Sequence, residues 1–420
     1  MGTAWRDKTH TLGRHEQLEH TSCIRTNEIA SLHPSQNVLK FQNFVCRVTP
    51  DPVNRGFGTR STGALSTPRA SPYPAHMPLL YAGIDEAGYG PLLGPLCVGC
   101  AMFVLPEVRE PGLADVRPPC LWRALAPAVC RTTTDRRHRI AIEDSKKLKG
   151  AKDAVGHPLR HLERGVSAFA SACPGAPSAW ESDAALLAAL GASPTAPPVG
   201  DAWHSESLPL PVGNDAPALR IATSMLRTTL TKCNMSCLEL RVRAIDAREF
   251  NAQAAQISNK ATINFMAAMR HVERVRVAAV ENGIDAWIAL DRQGGRTSYR
   301  EPLQTSFPEA RIRIIDESDA LSRYRLEFPA IGAGATPAHG ITISFELGGE
   351  GRNLPIALAS MAAKFTRELH MRRMNAFFAH HVAELKPTAG YVQDGRRWME
   401  QVGPAARTLG IPDEALVRTR

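Results

Sequence analysis

The sequence predicts an α/β domain, a mixed sheet flanked by helices with a helical segment toward its C-terminal end. Apolar runs of strand length alternate with long amphipathic patterns from Leu80 onward, which is the mark of a central sheet with covering helices. The first two runs are joined by a short glycine- and proline-rich turn, and a long helical pattern stands late in the chain.

Leu80 to Ile84 and Leu96 to Val104 read as two early strands that pair antiparallel across that turn. Leu238 to Ile245, Ala286 to Leu290, Arg311 to Ile315 and Ile341 to Phe345 are the later strands. Helical periods cover Asn259 to Ala279 and Leu354 to His380, with Pro355 in the first turn of the second, where its missing N–H costs little. Residues 174–217 are rich in Ala, Pro, Gly and Ser, with one short helical stretch near Asp183 to Leu190, and read as a surface insertion. Residues 1–76 show no sustained period, so we expect a disordered extension, with the catalytic domain spanning 77–420 and Met77 as the natural start. The alternative is a basic tail that touches nucleic acid, since this segment holds nine Lys/Arg against five Asp/Glu.

With 420 residues, 44% hydrophobic and 22% charged, the chain can bury a large core. No run approaches the roughly 18 to 20 apolar residues that cross a bilayer, so no membrane partner and a cytoplasmic location are expected. A net charge of +9 suits a polyanionic partner. Nine cysteines without regular spacing read as reduced thiols. Cys97 and Cys100, three apart on a strand, point to opposite faces, which argues against a zinc site and for buried structural thiols.

Acids stand where strands run into glycines. Asp85 and Glu86 lie between Gly83 and Gly88, and they can share a site only if the strand ends or curls there. Asp291 follows an apolar strand and precedes Gly294-Gly295; Glu350 follows another through Gly348-Gly349. Acids at several strand ends can converge, and three or four carboxylates are the usual way to hold two hard divalent cations such as Mg2+ or Mn2+. On the helix after Glu350, Ser360, Lys364, Arg367 and Met371 share one stripe, which either grips phosphates or is a solvated basic face.

Four ordered blocks bring a family into view. Asp85-Glu86-Ala87-Gly88-Tyr89-Gly90-Pro91, with Leu93-Gly94-Pro95 after it, resembles the opening signature of ribonuclease HII. Asp144-Ser145-Lys146-Lys147-Leu148 is similar to its Asp-Ser-Lys-Lys-Leu block, and Ala359-Ser360-Met361-Ala362-Ala363-Lys364-Phe365-Thr366-Arg367 to its Ala-Ser-x-x-Ala-Lys-x-Thr-Arg helix. Gly390-Tyr391 resembles the pair before its last helix.

The resemblance implies a ribonuclease H-like fold, Asp85, Glu86, Asp291 and Glu350 as catalytic metal ligands, and RNA–DNA hybrid or ribonucleotide-containing DNA as substrate. It implies cleavage to 5′-phosphate ends by a two-metal attack, with a monomer as the working unit. Substrate contacts fall to Gly88, Tyr89, Gly90, Lys146, Ser360, Lys364, Arg367 and Tyr391. Two positions depart from the family. Glu350 stands where aspartate is usual, and Tyr89 stands where arginine lies between the glycines that help read the 2′-hydroxyl. Charge is therefore missing at the junction unless a neighbour such as Lys146 or Arg292 supplies it. The other reading is a nucleic-acid-binding protein of this fold with impaired catalysis.

Overall fold

Leu79 and Tyr81 turn to one side of the first strand, Leu80, Ala82 and Ile84 to the other, and each set is buried in a different apolar cluster. That two-residue alternation marks a strand covered on both faces. The computed structural model describes residues 77–108, 118–149, 156–193, 202–257, 259–329 and 340–419. All belong to the unit Arg69–Arg420, and the expectations for residues 1–76 lie outside the described residues.

The strands are β1 (Met77–Ala87), β2 (Leu96–Val108), β3 (Val129–Cys130), β4 (Ile140–Ala141), β5 (Ser236–Ile245), β6 (Asp285–Asp291), β7 (Arg311–Glu317), β8 (Leu321–Glu327) and β9 (Ile341–Glu346). The helices are α1 (Leu121–Ala124), α2 (Ser145–Leu148), α3 (Arg160–Ala172), α4 (Asp183–Ala189), α5 (Ala216–Lys232), α6 (Ala247–Gln256), α7 (Lys260–Asn282), α8 (Arg300–Ser306), α9 (Leu354–Ala379), α10 (Val392–Thr408) and α11 (Asp413–Leu416).

Seven strands form one sheet in the order β5-β2-β1-β6-β9-β8-β7. Pairing is antiparallel from β5 through β2 to β1, parallel from β1 through β6 to β9, and antiparallel again through β8 to β7. This mixed sheet, with α9 on one face, α7 on the other and α10 and α11 toward the C-terminal end, is the α/β architecture of a helix-flanked mixed sheet that the sequence predicts. Cys97 and Cys100 fall in the two opposite clusters, as strand geometry requires. Among the described residues no helix is long and apolar enough to cross a membrane.

α9 is buried nearly all round, because it lies between the sheet and α3, with α2 beside it. It can approach β1 and β2 backbone to backbone only where side chains are missing. A Cβ on Gly83 would meet the Pro355 and Ile356 backbone at 2.2 Å, and one on Gly99 the Ala359 carbonyl at the same distance. A third cluster, with Leu93, Met374, Phe378, Trp398 and Val402, ties α9 to α10.

Two expectations need correction. The described part of residues 174–217 is not a segment laid on the surface: Trp180, Leu186, Leu187 and Leu190 join the main core, and buried Asp183 takes both Nε and Nη2 of Arg373 at 2.7 and 2.8 Å. Ala- and Pro-rich composition conceals these few anchoring side chains. The sequence patterns do not predict β8, because Ser322, Arg323 and Arg325 interrupt its apolar residues; pairing on both sides buries Ser322, Arg323 and Tyr324 regardless.

Candidate active site

Parallel pairing brings the C-terminal ends of β1 and β6 together. Ile84 is level with Leu290, so Asp85 and Asp291 are next-door residues at one end of the central strands. β1 stays paired to β2 through Ala87, past both acids, and turns only at Gly88, whose φ of +86° suits glycine. Asp85 thus lies on the α9 face and Glu86 on the α7 face, where Asn264 of α7 hydrogen-bonds the Glu86 carboxylate. The strand does not curl there, and the two acids stand on opposite faces at the end of the sheet.

Glu350 sits on the 3-10 turn Gly349–Gly351 between β9 and α9. That turn is pinned to the β6 acid, since the Gly349 N–H donates to Asp291 Oδ1 at 2.7 Å. Ser360 of α9 donates to Glu350 Oε1 at 3.2 Å and lies 3.1 Å from the Ser145 hydroxyl, which joins the Asp-Ser-Lys-Lys block to the site. Asp144 caps α2 by accepting the Lys146 N–H at 2.8 Å, and its carboxyl is also within hydrogen-bonding reach of Glu350.

The electrostatics follow from this crowding. Burial, then the charges of Glu86 and Glu350, push the Asp85 carboxyl well above the usual range, and its Oδ2 is buried without a hydrogen-bond partner. Burial also raises Glu86, Asp291 and Glu350, although Asn264 opposes it at Glu86. The Lys146 ammonium is raised by Glu350 first, then by Asp144, Asp85 and Asp291, so it faces the whole cluster.

Among the described residues, no group of three or more His, Cys, Asp or Glu side chains is drawn together closely enough to hold a metal ion as it stands. The donor chemistry still suits a hard divalent cation. It is carboxylate oxygen throughout, Asp85 Oδ2 is unpaired, and the proton affinity raised first by burial and then by neighbouring carboxylates reflects buried negative charge that a cation would offset.

The proposed substrate contacts divide. Lys146 stands at the acids, Tyr391 is exposed, and Tyr89 lies close enough to Glu86 for that charge, after burial, to raise its phenol. The helical stripe is neither a phosphate grip nor a solvated face, which corrects both readings. Ser360, Arg367 and Met371 are buried, and Lys364 pairs with Glu368 at 3.1 Å. Arg367 spends Nη2 on the carbonyls of Leu93 and Ala389, bracing the turn after β1 against the segment before Tyr391. Neither expected neighbour restores charge at Tyr89. Lys146 faces the acids, and Arg292 bonds the carbonyls of Arg296 and Asp319. The cation there is Lys260, whose Nζ lies 4.6 Å from the Tyr89 ring centroid. Asp144, Asn264 and Lys260 were missed; Asp144 had a signal, its place in the Asp-Ser-Lys-Lys block, while the other two lie inside an amphipathic helix pattern that marks nothing.

Solved structures it is similar to include ribonucleases H. A complex of PCNA with RNase HII from Archaeoglobus fulgidus matches at 13% identity and a TM-score of 0.34, over 81% of this chain and 94% of that one. The RNase H3 of Aquifex aeolicus matches at 12% and 0.31, over 80% and 71%. The ribonuclease H2 of Pyrococcus horikoshii OT3 matches at 14% and 0.28, over 80% and 92%. No protein-family model matches the chain, and no curated protein matches it in sequence.

Proposed function

We propose that this protein is a metal-dependent endoribonuclease that hydrolyses the RNA strand, or embedded ribonucleotides, of RNA–DNA duplexes. One observation carries the reading. Four carboxylates from β1, β6 and the turn before α9 crowd one end of the sheet, each with its proton affinity raised. Burial is the first cause of that rise and neighbouring carboxylates add to it, a combination that clusters at sites for cations and proton transfer. Asp85, Glu86, Asp291 and Glu350 would hold Mg2+ or Mn2+. A cation bound there lowers the pKa of water and offsets charge on a departing oxygen. Asn264 orients Glu86, Ser360 and Gly349 hold Glu350 and Asp291, and Lys146 offers an ammonium to phosphate oxygens beside them. The Gly88–Gly90 backbone borders the acids and is the element suited to sense a 2′-hydroxyl.

A second reading, a nucleic-acid-binding protein of impaired catalysis, is favoured by the two departures at the site itself, Glu350 in an aspartate position and Tyr89 in an arginine position. Three labelled duplexes separate the two: one with a single embedded ribonucleotide, one full RNA–DNA hybrid and one of DNA alone, each with Mg2+ or Mn2+. Metal-dependent cleavage of the first two, leaving 5′-phosphate ends, is expected. Binding without cleavage in either metal would overturn the enzyme reading.

A further inference from the structure

Beside the Gly88–Gly90 turn lies a cavity of about 210 Å³ lined by Tyr89, Phe250, Lys260, Arg418 and Thr419. Its chemistry is cationic. Arg418 is only 3% exposed, and while its Nη2 donates to the carbonyls of Gly88 and Pro91 at 2.6 and 2.5 Å, its Nε and Nη1 are buried without a partner. The Lys260 ammonium lies over the Tyr89 ring, and Arg367, close enough for its charge to disfavour that of Arg418, also keeps unpaired buried Nε and Nη1 donors. Among the described residues neither arginine forms an ion pair with a carboxylate. Buried cations without a counter-charge call for an anion; the Arg418 Nη2 is taken by the turn, so this guanidinium supplies charge to the cavity, and the Lys260 ammonium supplies the donor.

We propose that this cavity is a phosphate-binding site in which Lys260 grips one phosphate group beside Tyr89 and the buried Arg418 guanidinium supplies the opposing charge. That the phosphate belongs to a nucleic-acid strand rests on the nuclease reading; a free phosphate ion has the same chemistry. The site lies on the turn that leaves β1 two residues after Glu86, so a strand phosphate held here would seat its sugar or base against the Tyr89 ring. Burial, followed by the neighbouring Arg367, lowers the Arg418 guanidinium to about 10, and a bound phosphate would reverse that shift.

The test is calorimetric titration of the full chain with sodium phosphate at fixed ionic strength, in wild type, Lys260→Gln, Lys260→Arg and Arg418→Gln. One saturable site is expected, weakened about tenfold by Lys260→Gln, about 1.4 kcal/mol, restored by Lys260→Arg and lost in Arg418→Gln. Because Arg418 also braces the turn, its variant can fail to fold, and Lys260→Gln then decides. No saturation, or equal affinity in wild type and Lys260→Gln, overturns the proposal. A DNA duplex arm identifies the source of the phosphate. If it is a strand, phosphate competes with the duplex, and Lys260→Gln lowers the slope of log affinity against log salt by about one. If the ion is free, phosphate saturates without competing. Cleavage plays no part in these readings, so a chain that binds phosphate here and cuts nothing refutes the nuclease reading and leaves the site standing.

Discussion

Gly83→Ala tests whether the acids depend on how closely α9 lies on β1. The new Cβ would come within 2.2 Å of the Ile356 nitrogen and the Pro355 carbonyl carbon, where ordinary contact begins near 3.4 Å. Both obstacles are backbone, so no side chain can swing aside, and the N-terminal turn of α9 must retreat by about 1 Å. Overpacking of this kind costs about 1–3 kcal/mol, and backbone on both sides puts the cost at the upper end. Ser360 would move with the helix, and its 3.2 Å bond to Glu350 has no slack to absorb that shift. Misplacement of a reacting group by an ångström costs about a hundredfold in rate. Thermal melts and single-turnover cleavage should therefore both fall, whereas Gly295→Ala, where a Cβ would meet nothing within 4 Å, should change neither. If Gly83→Ala melts and cleaves like the parent chain, α9 does not cross β1 as described. If it melts lower but cuts at the same rate, the acids are positioned independently of the helix.

Asp85→Asn should abolish cleavage yet stabilise the metal-free chain at neutral pH. Its folded-state pKa lies above the ordinary 3.8, so the folded chain holds the proton more tightly, stability falls as pH rises through that window, and the variant's advantage in urea melts should vanish below it; a variant less stable at pH 7 would contradict this. Mg2+ or Mn2+ at a hundred times its Kd should stabilise the wild type by about 2.7 kcal/mol and do little for Asp85→Asn, as read by melting temperature. Glu350→Asp should stay active with an altered ratio of Mg2+ to Mn2+ rates, and Glu350→Gln should lose most activity; full activity in the glutamine variant would remove Glu350 from the site. Arg373→Met leaves Asp183 buried and unpaired and should cost about 3–5 kcal/mol in denaturant melts, a loss that Asp183→Leu in the same chain should partly recover.

Local patterns carried the fold as far as each element's own residues report its surroundings. β1, β2 and β6 carry apolar runs because both faces are covered, and β9 alternates Ile341, Ile343 and Phe345 with Thr342 and Ser344; such patterns stand out wherever they occur. α7 was legible to within a residue or so at its start, where the Asn259 side chain accepts the Ala261 N–H at 2.8 Å. β8 was not, because its polar residues are satisfied by distant partners, Arg323 over the Trp287 ring among them. The alternation rule applied to Asp85 and Glu86 was sound, but it treated opposite faces as separate places. At the last residues of a central strand the faces meet around the end of the sheet, and two acids can share a site without any curl.

The proposed site was legible only where unusual residues stand together in a short segment. Acids next to glycines at several strand ends stand out as a set, so Asp85, Glu86, Asp291 and Glu350 could be singled out as candidates one by one. Cations are different, because arginine and lysine are common on surfaces and their spacing says little about where they point. The Ser360, Lys364, Arg367 stripe looked like a charged face, yet a fully covered helix buries it, and Arg367 becomes a brace between two turns. Tyr89 in a position expected for arginine read as a loss of charge. The positive charge near that turn comes instead from Lys260 on α7 and from Arg418, which reaches the Gly88 carbonyl across 330 residues. A motif shows which residue is absent from its own segment; whether the charge is absent from the site depends on what the rest of the chain brings there.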